Sequence, residues 1–285
     1  MIRTICVCGA GTMGSGIAQV CAQSGFNIIL FDVNEVMLKK AEESIKHNLE
    51  YLADKQKISA KEEEDIFKQI RFVNEINDCL ADLVIEAIAE NMQMKIDLFN
   101  ALPQINNEEI VLTTNTSSLS ISDLQKKVAH PERIVGMHFF NPAPIMKLVE
   151  VVKGELTGNE AAQIVCKLCE RMGKTPVLCK DAPGFIVNRI ARHYYLEAMK
   201  LVEDGITSFE NVDAVMEATG FKMGPFKLMD LIGMDINLSV SKSVYEALNK
   251  PERFKPSSIQ IEKVNKGELG KKTGMGFYPY PPKAN

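Results

Sequence analysis

The sequence predicts an α/β domain with a mostly parallel sheet, followed by an all-α domain. Up to about Lys180, short apolar segments alternate with amphipathic helical segments. This alternation is typical of a parallel sheet that helices cover on both faces. After Pro183 and Gly184 the pattern contains only long helical stretches. We therefore expect one domain over residues 1–182 and a helical domain over residues 183–285.

The individual elements follow from hydrophobic periodicity and from cap residues. Ser59 and Glu62, for example, have the spacing of a capping box at the start of a helix. Strands are expected at 4–8, 27–31, 70–73, 83–87, 110–113, 134–140, 147–152 and 176–179. Helices are expected at 13–25, 35–53, 60–68, 92–101, 121–128 and 160–172, and then at 185–204, 208–218, 226–231, 235–248 and 258–266.

The composition is that of an ordinary globular protein. Of the 285 residues, 46% are hydrophobic and 25% are charged, and the net charge of −4 argues against nucleic-acid binding. No apolar run is long enough to span a bilayer, and the first residues already have the pattern of a strand. We expect a cytoplasmic protein with neither a membrane segment nor a signal peptide.

The seven cysteines lack the spacing of a disulfide framework, which fits a reducing compartment. Cys6 and Cys8 share one face of the first strand and are expected to be small core residues. Cys166-x-x-Cys169 resembles half of a redox or zinc site, but it lies within a predicted helix and has no second pair. Core packing is the preferred interpretation, and we expect no metal site.

The first strand runs directly into a glycine-rich turn, Gly9-x-Gly11-x-x-Gly14, and then into a helix. Gly9 allows the tight turn, Gly11 lets the backbone approach phosphates, and Gly14 lets the helix pack against the strand. The helix N-terminus offers N–H groups to an anion. The pattern predicts a dinucleotide site of the Rossmann type, with a purely structural turn as the alternative. Its loop consists of Gly9, Ala10, Gly11, Thr12, Met13 and Gly14.

The second strand ends in Asp32, at the distance where such sites place an acidic residue. A carboxylate there accepts hydrogen bonds from the adenosine ribose and repels a 2′-phosphate. The next residues, Val33 and Asn34, include no arginine that could bind that phosphate. The sequence therefore predicts NAD rather than NADP as the cofactor.

A hydride-transfer enzyme needs a proton acceptor, and His138 ends an apolar strand at the edge where parallel sheets bind ligands. If the next turn is centred near Pro144, the following strand is antiparallel and Glu150 lies opposite His138. A carboxylate beside an imidazole fixes its tautomer and raises its base strength. The pair is thus a candidate acid/base; the alternative is a structural pair that braces the turn.

Two further polar groups are candidates for ligand binding. Asn115 and Ser117 lie in a polar segment after a buried strand, where they can bind cofactor or substrate; capping the next helix is an equally good interpretation. Asn188 lies in the first turn of the long helix that opens the second domain. Taken alone, Asn188 has the pattern of a capping or surface residue.

Together these motifs resemble the L-3-hydroxyacyl-CoA dehydrogenases, most closely the short bacterial 3-hydroxybutyryl-CoA dehydrogenases. The resemblance spans essentially the whole chain. Besides the glycine loop, it rests on Asn115-Thr-Ser-Ser118, His138-Phe-Phe-Asn-Pro142, Lys147-Leu-Val-Glu150, Pro183-Gly-Phe-Ile-Val-Asn-Arg189, Met223-Gly-Pro-Phe226 and Gly270-Lys-Lys-Thr-Gly-x-Gly-Phe-Tyr278.

The resemblance implies that His138 and Glu150 form the catalytic base and that Ser117 and Asn188 hold the substrate oxygens. It also implies that Lys55 contacts coenzyme A and that the chain forms a homodimer through the helical domain. The implied substrate is 3-hydroxybutyryl-CoA, which places the enzyme in fatty acid and butanoate metabolism. Besides the glycine loop, the implied cofactor contacts are Asp32, Glu90, Lys95, Ser117, Asn141 and Lys272.

Two alternatives remain open. A relative of this family can act on 3-hydroxyadipyl-CoA, on a medium-chain 3-hydroxyacyl-CoA or on a sugar acid. A non-catalytic protein that binds a dinucleotide can also keep the fold. The presence of His138, Glu150, Ser117 and Asn188 together favours an enzyme.

Overall fold

The computed structural model describes residues 2–107 and 109–281, and the chain divides into two compact units. The first unit ends at Ala182 and the second begins at Pro183.

The first unit is built on an eight-stranded sheet with the order β3-β2-β1-β4-β5-β6-β7-β8. All neighbouring strands are parallel except β6 and β7, so the predicted mostly parallel sheet is confirmed. The strands are β1 Thr4–Cys8, β2 Asn27–Phe31, β3 Ile70–Val73, β4 Leu83–Glu86, β5 Val111–Thr114, β6 Ile134–Phe139, β7 Leu148–Lys153 and β8 Thr175–Lys180.

Six α-helices lie in the described part of this unit. Asn34 caps α2 through its side chain, and Ser59 with Glu62 forms the predicted capping box of α3. These caps satisfy N–H groups that the first helical turn leaves unpaired. The helices are α1 Thr12–Gln23, α2 Glu35–Asp54, α3 Ala60–Lys68, α4 Met92–Ile105, α5 Ile121–Gln125 and α6 Asn159–Arg171.

Most helix ends lie within two residues of the predicted ones, and two differ by more. Helix α4 continues through Pro103 to Ile105, because a proline in the last turn removes few helical hydrogen bonds and the buried Leu102 anchors that turn. Helix α5 stops at Gln125 instead of 128. Beyond it the Asn100 amide binds the carbonyl of Lys127 and the N–H of Ala129, replacing helical hydrogen bonds.

The core of this unit lies between the sheet and its helices. Ile5 and Val7 of β1 pack in one cluster with Ile17 of α1 and Val165 of α6. Burial of such side chains contributes roughly 1.5–3 kcal/mol each. Because β1, β4, β5 and β6 are parallel neighbours, their carboxyl ends lie along one edge of the sheet. The loops that follow them are therefore brought together there.

The second unit is helical, and Tyr195, Met199, Phe226 and Phe277 belong to its core. The tail is fixed by the buried Asp230, whose carboxylate accepts the N–H groups of Phe277 (2.9 Å) and Tyr278 (3.0 Å). Among the described helices none has the length and apolarity that crossing a membrane requires. The helices are α7 Val187–Glu203, α8 Phe209–Ala218, α9 Pro225–Ile232, α10 Met234–Ala247 and α11 Ser258–Asn265.

Candidate active site

The glycine loop joins β1 to α1 in the geometry that a phosphate-binding turn requires. Gly9 has a φ of +104°, and a Cβ there would lie 2.5 Å from the carbonyl oxygen of Ala87. A Cβ on Gly14 would lie 1.7 Å from the carbonyl oxygen of Gly9. At Gly11 a Cβ would meet no atom of the described residues within 4 Å apart from its chain neighbours, and this glycine gives α1 no side-chain cap. The loop therefore presents open space and helix N–H groups to an anion.

Asp32 lies directly after β2 and is fixed against this loop. Its carboxylate accepts the N–H of Ala10 at 2.8 Å and the N–H of Asn34 at 2.9 Å. Each carboxylate oxygen can accept a second hydrogen bond. The following residue, Val33, is 80% exposed and offers apolar surface. The Asp32 carboxylate fits the ribose of the adenosine half of a dinucleotide, and the apolar surface of Val33 fits its base.

A buried charged cluster connects β4, α4 and the segment after β5. The ammonium of Lys95, which is 1% exposed, lies 2.6 Å from Glu86 and 3.3 Å from Glu90. The second oxygen of Glu86 accepts the Thr114 hydroxyl at 2.6 Å. Burial raises the pKa of Glu86, and Lys95 and Thr114 oppose this effect. One lysine thus holds both carboxylates in place.

Glu90 in turn orders the segment that carries Ser117. Its carboxylate accepts the hydroxyls of Thr116 (2.5 Å) and Ser118 (3.0 Å) and the N–H of Ser117 (3.2 Å). Burial acts to raise the pKa of Glu90, but the Lys95 charge and these hydroxyls together hold it below its usual range. Across the part of the chain that the structure describes, the Ser117 hydroxyl has no protein hydrogen-bond partner. Its backbone is therefore fixed while its hydroxyl can bind a ligand.

His138 and Glu150 form a buried pair across the β6–β7 hairpin. The two residues are direct antiparallel partners, as the predicted turn centre requires. The Nδ1 of His138 lies 2.7 Å from Oε2 of Glu150, and the residues are 6% and 1% exposed. The ring of Phe140 lies 4.6 Å from the imidazole. The carboxylate fixes the imidazole orientation through Nδ1.

Asn115 connects this pair to the segment of Ser117. Its side-chain oxygen accepts the backbone N–H of Phe139 at 2.8 Å. Its backbone N–H donates to the backbone carbonyl of Glu86, also at 2.8 Å. The structure therefore brings Glu86, Asn115, Ser117 and His138 to one edge of the sheet.

A lysine that the sequence analysis did not identify holds the hairpin loop. Lys174, only 8% exposed, donates to the carbonyl oxygens of Ala143 at 2.6 Å and Met146 at 2.8 Å. Burial lowers the pKa of this ammonium. The loop contains Asn141, which is exposed. Because these partners lie far away in sequence, no local pattern marks Lys174.

Three further predicted site residues belong to other elements of the two units. Asn188 is the second residue of α7, and its carbonyl accepts the Arg192 Nε–H at 3.3 Å. Lys272 also belongs to the helical unit, where it forms an ion pair with Asp235 at 2.5 Å. Lys55 follows α2 and lies over the ring of Tyr51, 5.6 Å from its centroid.

Comparison with known proteins gives matches over nearly the whole chain. Residues 4–182 match the family model described as 3-hydroxyacyl-CoA dehydrogenase, NAD binding domain, and residues 184–280 match its C-terminal domain. The chain is 40% identical to the probable 3-hydroxybutyryl-CoA dehydrogenase of Bacillus subtilis, covering 100% of this chain and 99% of that protein.

Other similar proteins include one with a different named substrate. The 3-hydroxyadipyl-CoA dehydrogenase of Escherichia coli is 43% identical over 98% of this chain, which spans only 59% of that protein's length. Among solved structures, (S)-3-hydroxybutyryl-CoA dehydrogenase from Ralstonia eutropha has a TM-score of 0.94 and 35% identity, covering 99% of this chain and 100% of that one.

Proposed function

The chain belongs to the family of NAD-dependent 3-hydroxyacyl-CoA dehydrogenases, and we propose that it interconverts (S)-3-hydroxyacyl-CoA and 3-ketoacyl-CoA. The observation that carries this proposal is the buried pair of His138 and Glu150, 2.7 Å apart. It lies on the edge of the sheet where the glycine loop also begins. An acid/base group and a dinucleotide turn on one edge are what a hydride-transfer site needs.

The bound NAD supplies the hydride acceptor or donor. The glycine loop would hold its pyrophosphate and Asp32 its adenosine ribose, which the open space at Gly11 supports. We assign the remaining cofactor contacts to the ordered segment around Asn115 and Ser117 and to four further residues that the family pattern marks. These are Glu90, Lys95, Asn141 and Lys272.

His138 takes the proton of the substrate 3-hydroxyl during oxidation and returns it to the 3-keto oxygen during reduction. Glu150 stabilises the imidazolium that forms in each cycle, because a buried cation needs a nearby anion. Ser117 and Asn188 donate hydrogen bonds to the substrate oxygens, whose charge changes along the reaction. These bonds stabilise the transition state more than the ground state.

The proposed substrates are CoA esters of short acyl groups, and acetoacetyl-CoA is the ketoacyl ester that we expect to react best. Lys55 is the proposed contact to coenzyme A. The full-length match to 3-hydroxybutyryl-CoA dehydrogenases supports this choice. The 43% identity to a 3-hydroxyadipyl-CoA dehydrogenase favours a six-carbon dicarboxylic ester as the second candidate. Either substrate fits a role in fatty acid or butanoate metabolism.

We also propose a homodimer formed through the helical unit. Several large apolar side chains of this unit are exposed, among them Ile206 (67%) and Val215 (60%). Such side chains can pack against the same face of a second copy of the chain. A cytoplasmic location is proposed because all seven cysteines are free thiols.

The substrate assignment is tested by NADH oxidation with 3-ketoacyl-CoA esters of four to ten carbons and with 3-ketoadipyl-CoA. Each methylene that fits adds at most about 0.8 kcal/mol of binding, and one that clashes reverses the trend. We expect kcat/KM to be highest at four or six carbons and to fall by ten. A rise through ten carbons would identify a medium-chain enzyme, and a maximum at 3-ketoadipyl-CoA would identify the dicarboxylic ester.

A further inference from the structure

Three buried cysteines meet on the sheet, outside the site described above. Cys6 and Cys8 lie on the same face of β1, and Cys79 follows the short helical turn Ile76–Asp78 before β4. All three are 0% exposed. Their sulfur atoms lie within 4.8 Å of one another, and those of Cys6 and Cys8 are 3.7 Å apart. The strand pattern predicts core positions for the first two and gives no sign that Cys79 lies beside them.

This spacing is close to that of a metal–thiolate centre. Thiolates about 2.3 Å from a metal ion in trigonal or tetrahedral geometry are about 3.8–4.0 Å apart. Within residues 2–107 and 109–281, no fourth histidine, cysteine, aspartate or glutamate joins the group. Structural zinc almost always takes four protein ligands, whereas soft thiolates also select copper(I). Three sulfur atoms without a fourth ligand therefore suit Cu⁺ better than Zn²⁺.

The segment that carries Cys79 is held in place by its neighbours. The Asn106 amide donates to the Cys79 carbonyl at 3.0 Å and accepts the Ala81 N–H at 2.9 Å. Arg71 donates to the Asp78 carbonyl at 2.8 Å. The position of the third sulfur is thus fixed before any ion binds, which lowers the cost of ordering the site.

We propose that Cys6, Cys8 and Cys79 form a binding site for one Cu⁺ ion. Binding forms three Cu–S bonds, releases the thiol protons of the three free cysteines to solvent and changes no oxidation state. Because Cys8 is bonded to Gly9, the ion lies at the base of the glycine loop. The site is independent of the proposed catalytic residues, so its failure would leave the proposed activity untouched.

The experiment is an anaerobic titration of the reduced full-length protein with Cu⁺ against a chromophoric Cu⁺ chelator. We expect one ion per chain and an X-ray absorption spectrum with three sulfur neighbours at about 2.3 Å. Cys79→Ala should weaken this binding by at least about a hundredfold, since two thiolates remain. The matched control is Cys166→Ala, a half-buried thiol on α6, which should bind as wild type does.

Circular dichroism checks that each variant is folded. If Cys79→Ala does not fold, Cys8→Ala carries the same test, because it removes one sulfur of the same group. Absence of one-to-one uptake in the wild-type protein would overturn the proposal. Unchanged Cu⁺ affinity in the folded Cys79→Ala or Cys8→Ala variant would overturn it as well.

Discussion

The chemistry of this chain depends on a few buried charged side chains. His138 and Glu150 are almost completely removed from water yet lie 2.7 Å apart. Burying either charge alone would cost several kcal/mol, and the pair offsets much of that cost only while both members are present. In the proposed reduction the imidazolium donates the proton, and Glu150 offsets the cost of burying that cation.

Glu150→Gln should reduce turnover by roughly ten- to a hundredfold, since glutamine keeps the shape but cannot stabilise the imidazolium. Steady-state rates of 3-ketoacyl-CoA reduction check this effect. Glu155→Gln, on an exposed glutamate just past β7, is the control, and wild-type turnover in Glu150→Gln would contradict a catalytic role.

Asp32 should make the enzyme prefer NADH over NADPH. Its carboxylate is fixed against the glycine loop by the N–H of Ala10, and Val33 beside it carries no charge that could bind a 2′-phosphate. KM values measured with both cofactors and a common ketoacyl ester decide this point. A lower KM for NADPH would show that another cation compensates.

Among the secondary-structure elements, the cluster around Lys95 connects α4 to the adjacent strands β4 and β5. Lys95 is the counter-charge of Glu86, which is 0% exposed, and it also pairs with Glu90. Glu90 also accepts the backbone N–H of Ser117, so the position of the Lys95 ammonium affects the position of that backbone. A substitution that displaces α4 should therefore lower both the free energy of unfolding and the affinity for a ligand that binds at Ser117.

Lys95→Met should destabilise the protein by about 3–5 kcal/mol, because it leaves a buried carboxylate without its counter-charge. Urea or thermal unfolding measures the change. Lys126→Met is the control: this lysine pairs with Asp123 at 2.8 Å, but both side chains are more than half exposed. Loss of such a pair should cost less than about 1 kcal/mol. Equal destabilisation by the two variants would contradict the role of burial.

Local patterns explain why much of this arrangement could be predicted. The turn near Pro144 fixes the hairpin register, and the register alone places Glu150 opposite His138. Lys174 and Cys79 could not be predicted in the same way. Their partners lie about 30 or more residues away in sequence, and neither residue lies in a periodic segment. Their contacts exist only after the strands have paired.

Across the whole molecule, hydrophobic periodicity predicts which face of a helix is apolar. It does not distinguish a face that packs in the core from a face that a partner covers. Ile236 on α10 belongs to a regular helical pattern, yet it is 49% exposed. Sequence alone therefore predicts the helices of the second unit but not which of their faces stays open. The exposed side chains of this unit become visible only in the folded chain.

A homodimer predicts a mass of twice the 31.7 kDa chain in sedimentation or light-scattering experiments. Ile206→Glu combined with Val215→Glu should shift the protein towards monomer, because two charges would be buried in an apolar interface. Leu156→Glu changes a side chain of the first unit that is 51% exposed, and it should leave the mass unchanged. A monomeric wild type would contradict the proposed dimer.

The variant His138→Ala tests whether His138 is the acid/base group. Two quantities are measured on it: the turnover of acetoacetyl-CoA reduction, and the affinity for NADH by fluorescence. We predict that turnover falls by about two to four decades while NADH affinity stays within about twofold of wild type, because proton transfer is lost and the dinucleotide site remains. His47→Ala, on the exposed surface of α2, should behave as wild type. Turnover like that of wild type in His138→Ala would contradict the assignment.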